Sequence, residues 1–179
     1  EDRGADNIFI KDMANLLLPY TAYDLVKGIK AVLKPGTKVH LHTHNTTGTG
    51  DMINLKAIEA GCDIVDTALS ALGNGTSQPA TEPLVATLKG TQYDTGIDLN
   101  KLVPINNHFK KVADELEKAG TLNPNVRKIN VNTLIYQVPG GMLSNLMNQL
   151  KQQGKLDKLD EVLAEVPNVR KDCGYPPLV

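Results

Sequence analysis

Apolar and polar residues alternate most sharply between Val39 and Asn45. In an extended Val39-His40-Leu41-His42-Thr43-His44-Asn45, Val39, Leu41 and Thr43 point one way and His40, His42 and His44 the other. Upstream, Asn7 to Met13 (Asn-Ile-Phe-Ile-Lys-Asp-Met) is a second short β-type run that ends in charge, with Lys11 on the side of Phe9 and Met13. Ile64-Val65-Asp66-Thr67-Ala68-Leu69 is a third, nearly continuous in apolar residues as buried parallel strands are. Helical stripes follow each run. Pro19-Tyr20-Thr21-Ala22-Tyr23-Asp24 starts a helix that Thr21 can cap, with Asp24 favouring its positive end, Leu25, Val26, Ile29, Val32 and Leu33 as its stripe and Pro35-Gly36 stopping it. Met52, Leu55, Ile58 and Ala60 start a second helix closed by Gly61. Thr81-Glu82-Pro83 opens a third through Leu84, Val85 and Leu88, ended by Gly90.

Three strand–helix units in a row imply a parallel sheet with right-handed crossovers, hence an α/β fold. The chemically loaded residues then fall at the carboxyl ends of strands, where open α/β sheets and (β/α)8 barrels build their sites. The remaining chain reads differently. Leu99 to Gly120 has a helical stripe of Leu102, Ile105, Phe109, Val112 and Leu116. Ile129 to Val138 reads as extended, with Asn130-Val131-Asn132 alternating. Pro139-Gly140-Gly141 is a turn opening a helix from Met142 to Gln153. A Gly-Gly helix start can hold an anion, but a plain turn is the simpler account. Leu156, Leu159, Val162, Leu163 and Val166 mark a last amphipathic helix, before an irregular Cys173-Gly174-Tyr175-Pro176-Pro177 end.

Composition narrows the function classes. A net charge of −1 over 179 residues gives no field to attract a polyanion, and 4 % aromatics without Trp gives no stacking platform, so nucleic acid is not an expected partner. Cys62 and Cys173 form no Cys-x-x-Cys and no disulfide framework, which favours a reducing, cytoplasmic setting. No apolar run is long enough to span a bilayer, so direct membrane insertion is not expected.

The amino terminus leads straight into a strand and does not read as a signal peptide. Three units do not close a barrel, which takes eight and roughly 250 residues. The expectation is the last three strand–helix units of a (β/α)8 TIM barrel over 1–97, followed by a mostly helical extension over 98–179. A small open α/β domain is the alternative.

Two imidazoles at i and i+2 near a strand end can converge on a metal, although histidines bonded to their neighbours would suit the same pattern. Lys11 at a strand end is either an ammonium snorkelling to water or part of a site.

The motifs Ile10-Lys11-Asp12-Met13-Ala14, Leu41-His42-Thr43-His44-Asn45-Thr46-Thr47-Gly48, Asp63-Ile64-Val65-Asp66-Thr67-Ala68, Gly75-Thr76-Ser77-Gln78-Pro79 and Val138-Pro139-Gly140-Gly141-Met142-Leu143-Ser144-Asn145-Leu146 occur in that order. As a set they resemble the carboxyltransferase domain of biotin-dependent enzymes: pyruvate carboxylase, the oxaloacetate decarboxylase alpha chain and the transcarboxylase carboxyltransferase subunit. His-x-His alone is shared with the related metal-dependent lyases and synthases.

The resemblance implies metal-dependent transfer of a carboxyl group between carboxybiotin and pyruvate or oxaloacetate. It implies a divalent metal (Zn, Mn or Co) on His42, His44 and a carbamylated Lys11, the carbamate supplying the anionic oxygen a bare ammonium lacks. The family's further aspartate ligand, on the first barrel strand, has no counterpart here. Thr76 would be the catalytic threonine, shuttling a proton between biotin and the enolate of pyruvate. Ser77 and Gln78 would line the biotin pocket, and Asn45 would orient a ligand or water. His40, two positions deeper, would be a satisfied interior histidine. The 98–179 segment would begin the conserved carboxylase domain. Partners would be pyruvate or oxaloacetate, a biotin carrier on another domain or subunit (no Met-Lys-Met acceptor lies within the chain) and further copies in a homo-oligomer. The isolated segment is expected to be inactive. The alternatives are a metal-dependent lyase or aldol/Claisen-type synthase, or a non-catalytic segment serving assembly.

Overall fold

A computed structural model describes residues 4–138 and 140–176. Three parallel strands lie in the order β1 (Asn7–Asp12), β2 (Lys38–Thr43), β3 (Ile64–Val65). Helices α1 (Pro19–Val32), α2 (Gly50–Glu59) and α3 (Thr81–Leu88) follow them in turn. Then come α4 (Leu99–Lys118), a 3-10 turn at Pro124–Arg127, α5 (Asn132–Tyr136), α6 (Gly140–Gln152), a second 3-10 turn at Leu156–Lys158 and α7 (Leu159–Asp172).

Alternation in β2 sorts its side chains as the sequence requires. Val39 and Leu41 are fully buried against Ala22 and Val26 of α1 and Ile53 and Ala57 of α2. Each such side chain contributes about 1.5–3 kcal/mol on leaving water. A second cluster joins Ile58 of α2 to Leu84 and Leu88 of α3. The other face of the sheet carries Phe9 and Lys11 from β1, registered against His40 and His42 of β2, and leaves Phe9 half exposed.

Four expectations need correction. Helix α1 opens at Pro19, at the head of the expected Pro19–Asp24 start, but Thr21 lies inside the helix and does not cap it. Leu18 occupies the cap position in extended geometry, and proline at the first turn forfeits no hydrogen bond. The third strand is only Ile64–Val65 and half-buried. Beyond it the chain pairs with its own return: Ala68 N–H donates to the Pro79 carbonyl (3.0 Å) and Thr81 N–H to the Ala68 carbonyl (2.8 Å). The segment read as extended after Ile129 contains α5 instead. The Asn130 side chain accepts from Asn132 N–H (3.1 Å) and starts the turn, and Gln137 ends it at φ 59°. Helix α6 begins at Gly140, two residues before Met142. Pro139, the first residue of the proposed glycine turn, and Pro177 of the irregular end lie outside the described residues. No helix among the described residues is long and apolar enough to cross a membrane.

Candidate functional site

The site is built at the carboxyl ends of the strands. Two side chains first lock that rim. Asp12 ends β1 and accepts from Leu16 N–H (2.9 Å) and the Thr43 hydroxyl (2.8 Å). Asn15, fully buried at φ 53°, accepts from Thr47 N–H (2.8 Å) and the Thr47 hydroxyl (2.6 Å). The turn after β1 is thereby tied to the loop after β2, on either side of His44.

His42 and His44 converge. Their Nε2 atoms lie 3.2 Å apart, and each ring is held from behind. His44 Nδ1 is 2.6 Å from the Thr76 carbonyl, which only accepts, so Nδ1 carries the proton and Nε2 a lone pair. His42 Nδ1 is 2.7 Å from Asp66 Oδ2, which fixes the same tautomer in the neutral ring. Burial holds the His44 imidazole below its ordinary pKa, against the upward pull of the Thr76 carbonyl. Two lone pairs thus face each other across a gap that suits a shared cation. At metal–nitrogen distances of about 2.0–2.1 Å, a 3.2 Å separation corresponds to roughly 100° at the metal, within the range of tetrahedral and octahedral sites.

Lys11 stands directly across from His42 in the β1–β2 register, on the same face, and is exposed. His40 is satisfied as expected: its Nε2 is 2.7 Å from Asp66 Oδ1, and Phe9 packs edge-on at 4.7 Å between ring centroids. Among the described residues no three His, Cys, Asp or Glu side chains gather into a complete metal cluster.

The loop after β3 supplies the other wall. Thr76 is exposed, and its contact with the site is through its carbonyl; among the described residues its hydroxyl has no hydrogen bond. Gln78 places its amide nitrogen 3.5 Å from His42 Nε2 and 3.4 Å from His44 Nε2, over the histidine pair. Ser77 donates its hydroxyl to Gln78 Oε1 (3.3 Å) and its carbonyl accepts from Asn45 N–H (2.9 Å).

Asn45 does not orient a group at the pair. Its oxygen accepts from Gly50 N–H (2.9 Å), and its amide donates to Asp51 (3.0 Å) and Asn74 (2.8 Å), which ties the loop after β2 to the start of α2 and to the loop after β3. The residue that sequence reasoning left without a role is Asp66. Burial pushes its carboxyl pKa up, but hydrogen bonds from His40 and His42 outweigh that and hold it below the usual range. The available signal was an aspartate at the end of an apolar run beside the histidine strand.

Two family models match. Residues 1–108 match HMGL-like, and residues 133–179 match the conserved carboxylase domain. The chain is 52 % identical to a pyruvate carboxylase subunit of Methanocaldococcus jannaschii, covering 100 % of this chain and 31 % of that protein. It is 47 % identical to the methylmalonyl-CoA carboxyltransferase 5S subunit of Propionibacterium freudenreichii, covering 99 % and 34 %. The carboxyl transferase domain of Rhizobium etli pyruvate carboxylase, solved with pyruvate and biocytin, superposes with a TM-score of 0.81 at 30 % identity over 95 % of this chain and 28 % of that one. The chain therefore spans about a third of the length of these relatives. With its α/β fold and histidine rim, the chain belongs to the HMGL-like family, and it is similar over nearly its whole length to part of the carboxyl transferase domain of pyruvate carboxylase.

Proposed function

We propose that residues 1–97 are the last three strand–helix units of a (β/α)8 barrel and that 98–179 form its helical extension. Two features support this division: all three strands are parallel with α1 and α2 packed on one face, and the chemical groups collect at one rim. In this reading the face of Phe9, Lys11, His40 and His42 lines the barrel interior.

The function is transfer of a carboxyl group between carboxybiotin and pyruvate or oxaloacetate, by an enzyme of which this chain is one part. The support is the shared carboxyl chemistry in the names of the relatives and the pyruvate and biocytin held by the solved neighbour. Biotin would arrive on a carrier domain or subunit. The observation that carries the site is the 3.2 Å approach of two lone-pair nitrogens, each fixed from behind. His42 and His44 would hold a divalent metal, and Lys11, once carbamylated, would be the third donor from this chain. The metal supplies stabilisation of negative charge developing on a substrate oxygen.

The chain's own groups divide the work. Asp66 and the Thr76 carbonyl aim the two imidazoles. Gln78 places an amide N–H at the pair, where it can donate to an oxygen bound there, while Ser77 steadies Gln78 and lines the biotin side. The Thr76 hydroxyl, open to solvent at the rim, is the candidate proton relay, a role resting on the family resemblance alone.

Metal analysis of the full-length protein, with isotopic carbon dioxide exchange into oxaloacetate, tests the whole reading. One equivalent of metal lost in His42→Ala, together with exchange in the parent, is the expected result. Full metal content in His42→Ala removes the site. The lyase alternative has the HMGL-like match on its side. Cleavage of an acyl-CoA substrate without carboxyl exchange would establish it.

A further inference from the structure

The segment between the two family matches, residues 109–132, carries no assignment from either. Part of it is laid across both loops of the site. Val126 and Arg127, adjacent in the 3-10 turn, grip the loop after β3 at two points five residues apart, Thr76 and Ala71. The Val126 carbonyl accepts from Thr76 N–H (2.8 Å), and Arg127 Nη1 donates to the Ala71 carbonyl (2.9 Å). Arg127 is itself paired with Glu117 of α4. Asn106 of α4 completes the grip, accepting from Ala71 N–H (2.8 Å) and donating to the Ser70 hydroxyl (2.8 Å).

Three residues on, the same segment meets the loop after β2. Asn130 N–H donates to the Thr46 carbonyl (2.7 Å), and Ile129 fills the space where a Cβ on Gly48 would stand, 2.8 Å away. The fit at Gly75 is closer still. A Cβ there would lie 2.1 Å from the Val126 carbonyl, at a backbone φ of +55° that also favours glycine.

We propose that Pro124–Asn130 is a strap that positions the histidine pair, with Arg127 as its positioning residue. The path is short. Arg127 fixes the loop at Ala71, Val126 fixes it at Thr76, and the Thr76 carbonyl holds His44 Nδ1–H at 2.6 Å. Release of the strap lets the carbonyl leave His44, and the ring loses the tautomer and aim that place Nε2 against His42. The extension thus sets the geometry of a site whose side chains all come from the first 78 residues. This inference rests on the metal reading of the pair only for its consequence in metal affinity.

The test uses Arg127→Met in the full-length protein. Amide exchange at Thr76 is expected to quicken at least tenfold while Val39 and Leu41 amides stay protected. In 15N-histidine-labelled protein, His44 is expected to pass from one tautomer to a mixture, and Zn2+ affinity to weaken at least tenfold. Gly75→Ala, which pushes Val126 away and leaves Arg127 in place, should give the same signature should Arg127→Met fail to fold. A lower melting temperature with Thr76 exchange and the His44 tautomer both unchanged would overturn the strap, leaving the segment a staple of the fold. A parent protein that takes up no Zn2+, in which Thr76 exchange and the His44 tautomer still respond, would sustain the strap and overturn the metal reading.

Discussion

Asp66 accepts from His42 Nδ1 at 2.7 Å through one carboxylate oxygen and meets His40 Nε2 at the same distance through the other. It stands just past β3, where Asp66 N–H donates to the Leu41 carbonyl (3.1 Å), so its reach is fixed by the sheet itself. Asp66→Asn presents an amide where two ring N–H groups need acceptors. Metal affinity should fall about 10–100-fold, as when a ligand histidine loses its supporting carboxylate. Calorimetric titration with Zn2+ measures this, and undiminished affinity would remove Asp66 from the site.

The two roles on one strand face can be separated. His44→Ala should lose the metal, whereas His40→Gln, which keeps a donor toward Asp66, should retain it. Elemental analysis of the purified full-length variants reads the difference. Equal metal loss in both would mean that the whole face, rather than the rim pair, does the binding.

Thr76→Ala separates hydroxyl from carbonyl. The contact to His44 uses the backbone and survives the change, so metal content should stay at the parent level. Carboxyl exchange should vanish if the hydroxyl relays the proton. Exchange at the parent rate would limit Thr76 to its carbonyl.

Asp63 ties β3 to its neighbours, accepting from Lys30 and from Val39 N–H, each at 2.8 Å. Burial pushes its carboxyl pKa up, but the Lys30 and Val39 hydrogen bonds outweigh that and lower it. A folded-state pKa below the unfolded value of about 3.9 stabilises the fold above that value. The contribution is lost as the pH falls through the folded-state pKa. Asp63→Asn should therefore melt lower than the parent at pH 7, with the gap closing below about pH 4. A gap that persists at pH 2.5 would assign the loss to packing.

Asn54 is fully buried in α2, with neither amide atom bonded among the described residues. An unsatisfied buried polar group costs about 1–3 kcal/mol. Asn54→Leu keeps the branched outline, removes both polar atoms and adds some bulk; where α2 accommodates that bulk the melting temperature should rise by several degrees. A drop on thermal denaturation would show that the amide is in use.

Much of the architecture was legible because short-range rules decide it. The alternation in β2 sorted Leu41 from His42, and the helical stripes marked α1 to α4. What escaped depended on distant partners. Nothing local in Ile129 to Val138 separates an extended run from α5; the Asn130 turn and the anchor of Asn130 N–H on Thr46 decide it. His42 and His44 were visible as a pair, but not Asp66 behind one and the Thr76 carbonyl behind the other. Sequence reasoning credited Thr76 with its side chain, and no residue pattern reveals that a carbonyl will be the acceptor.

The strand register has a consequence for how the site is kept. Lys11 sits against His42 only while Ile10 sits against Leu41. A slip of β2 by one residue would turn His40 and His42 into the apolar layer of Val26 and Ile53 and expel Leu41 into their place. A slipped register is thus penalised by loss of the core, so a folded sheet carries Lys11 opposite His42 on the face away from that core. The sheet proofreads the site, leaving positions 40 and 42 free to change side chains without risk to the alignment.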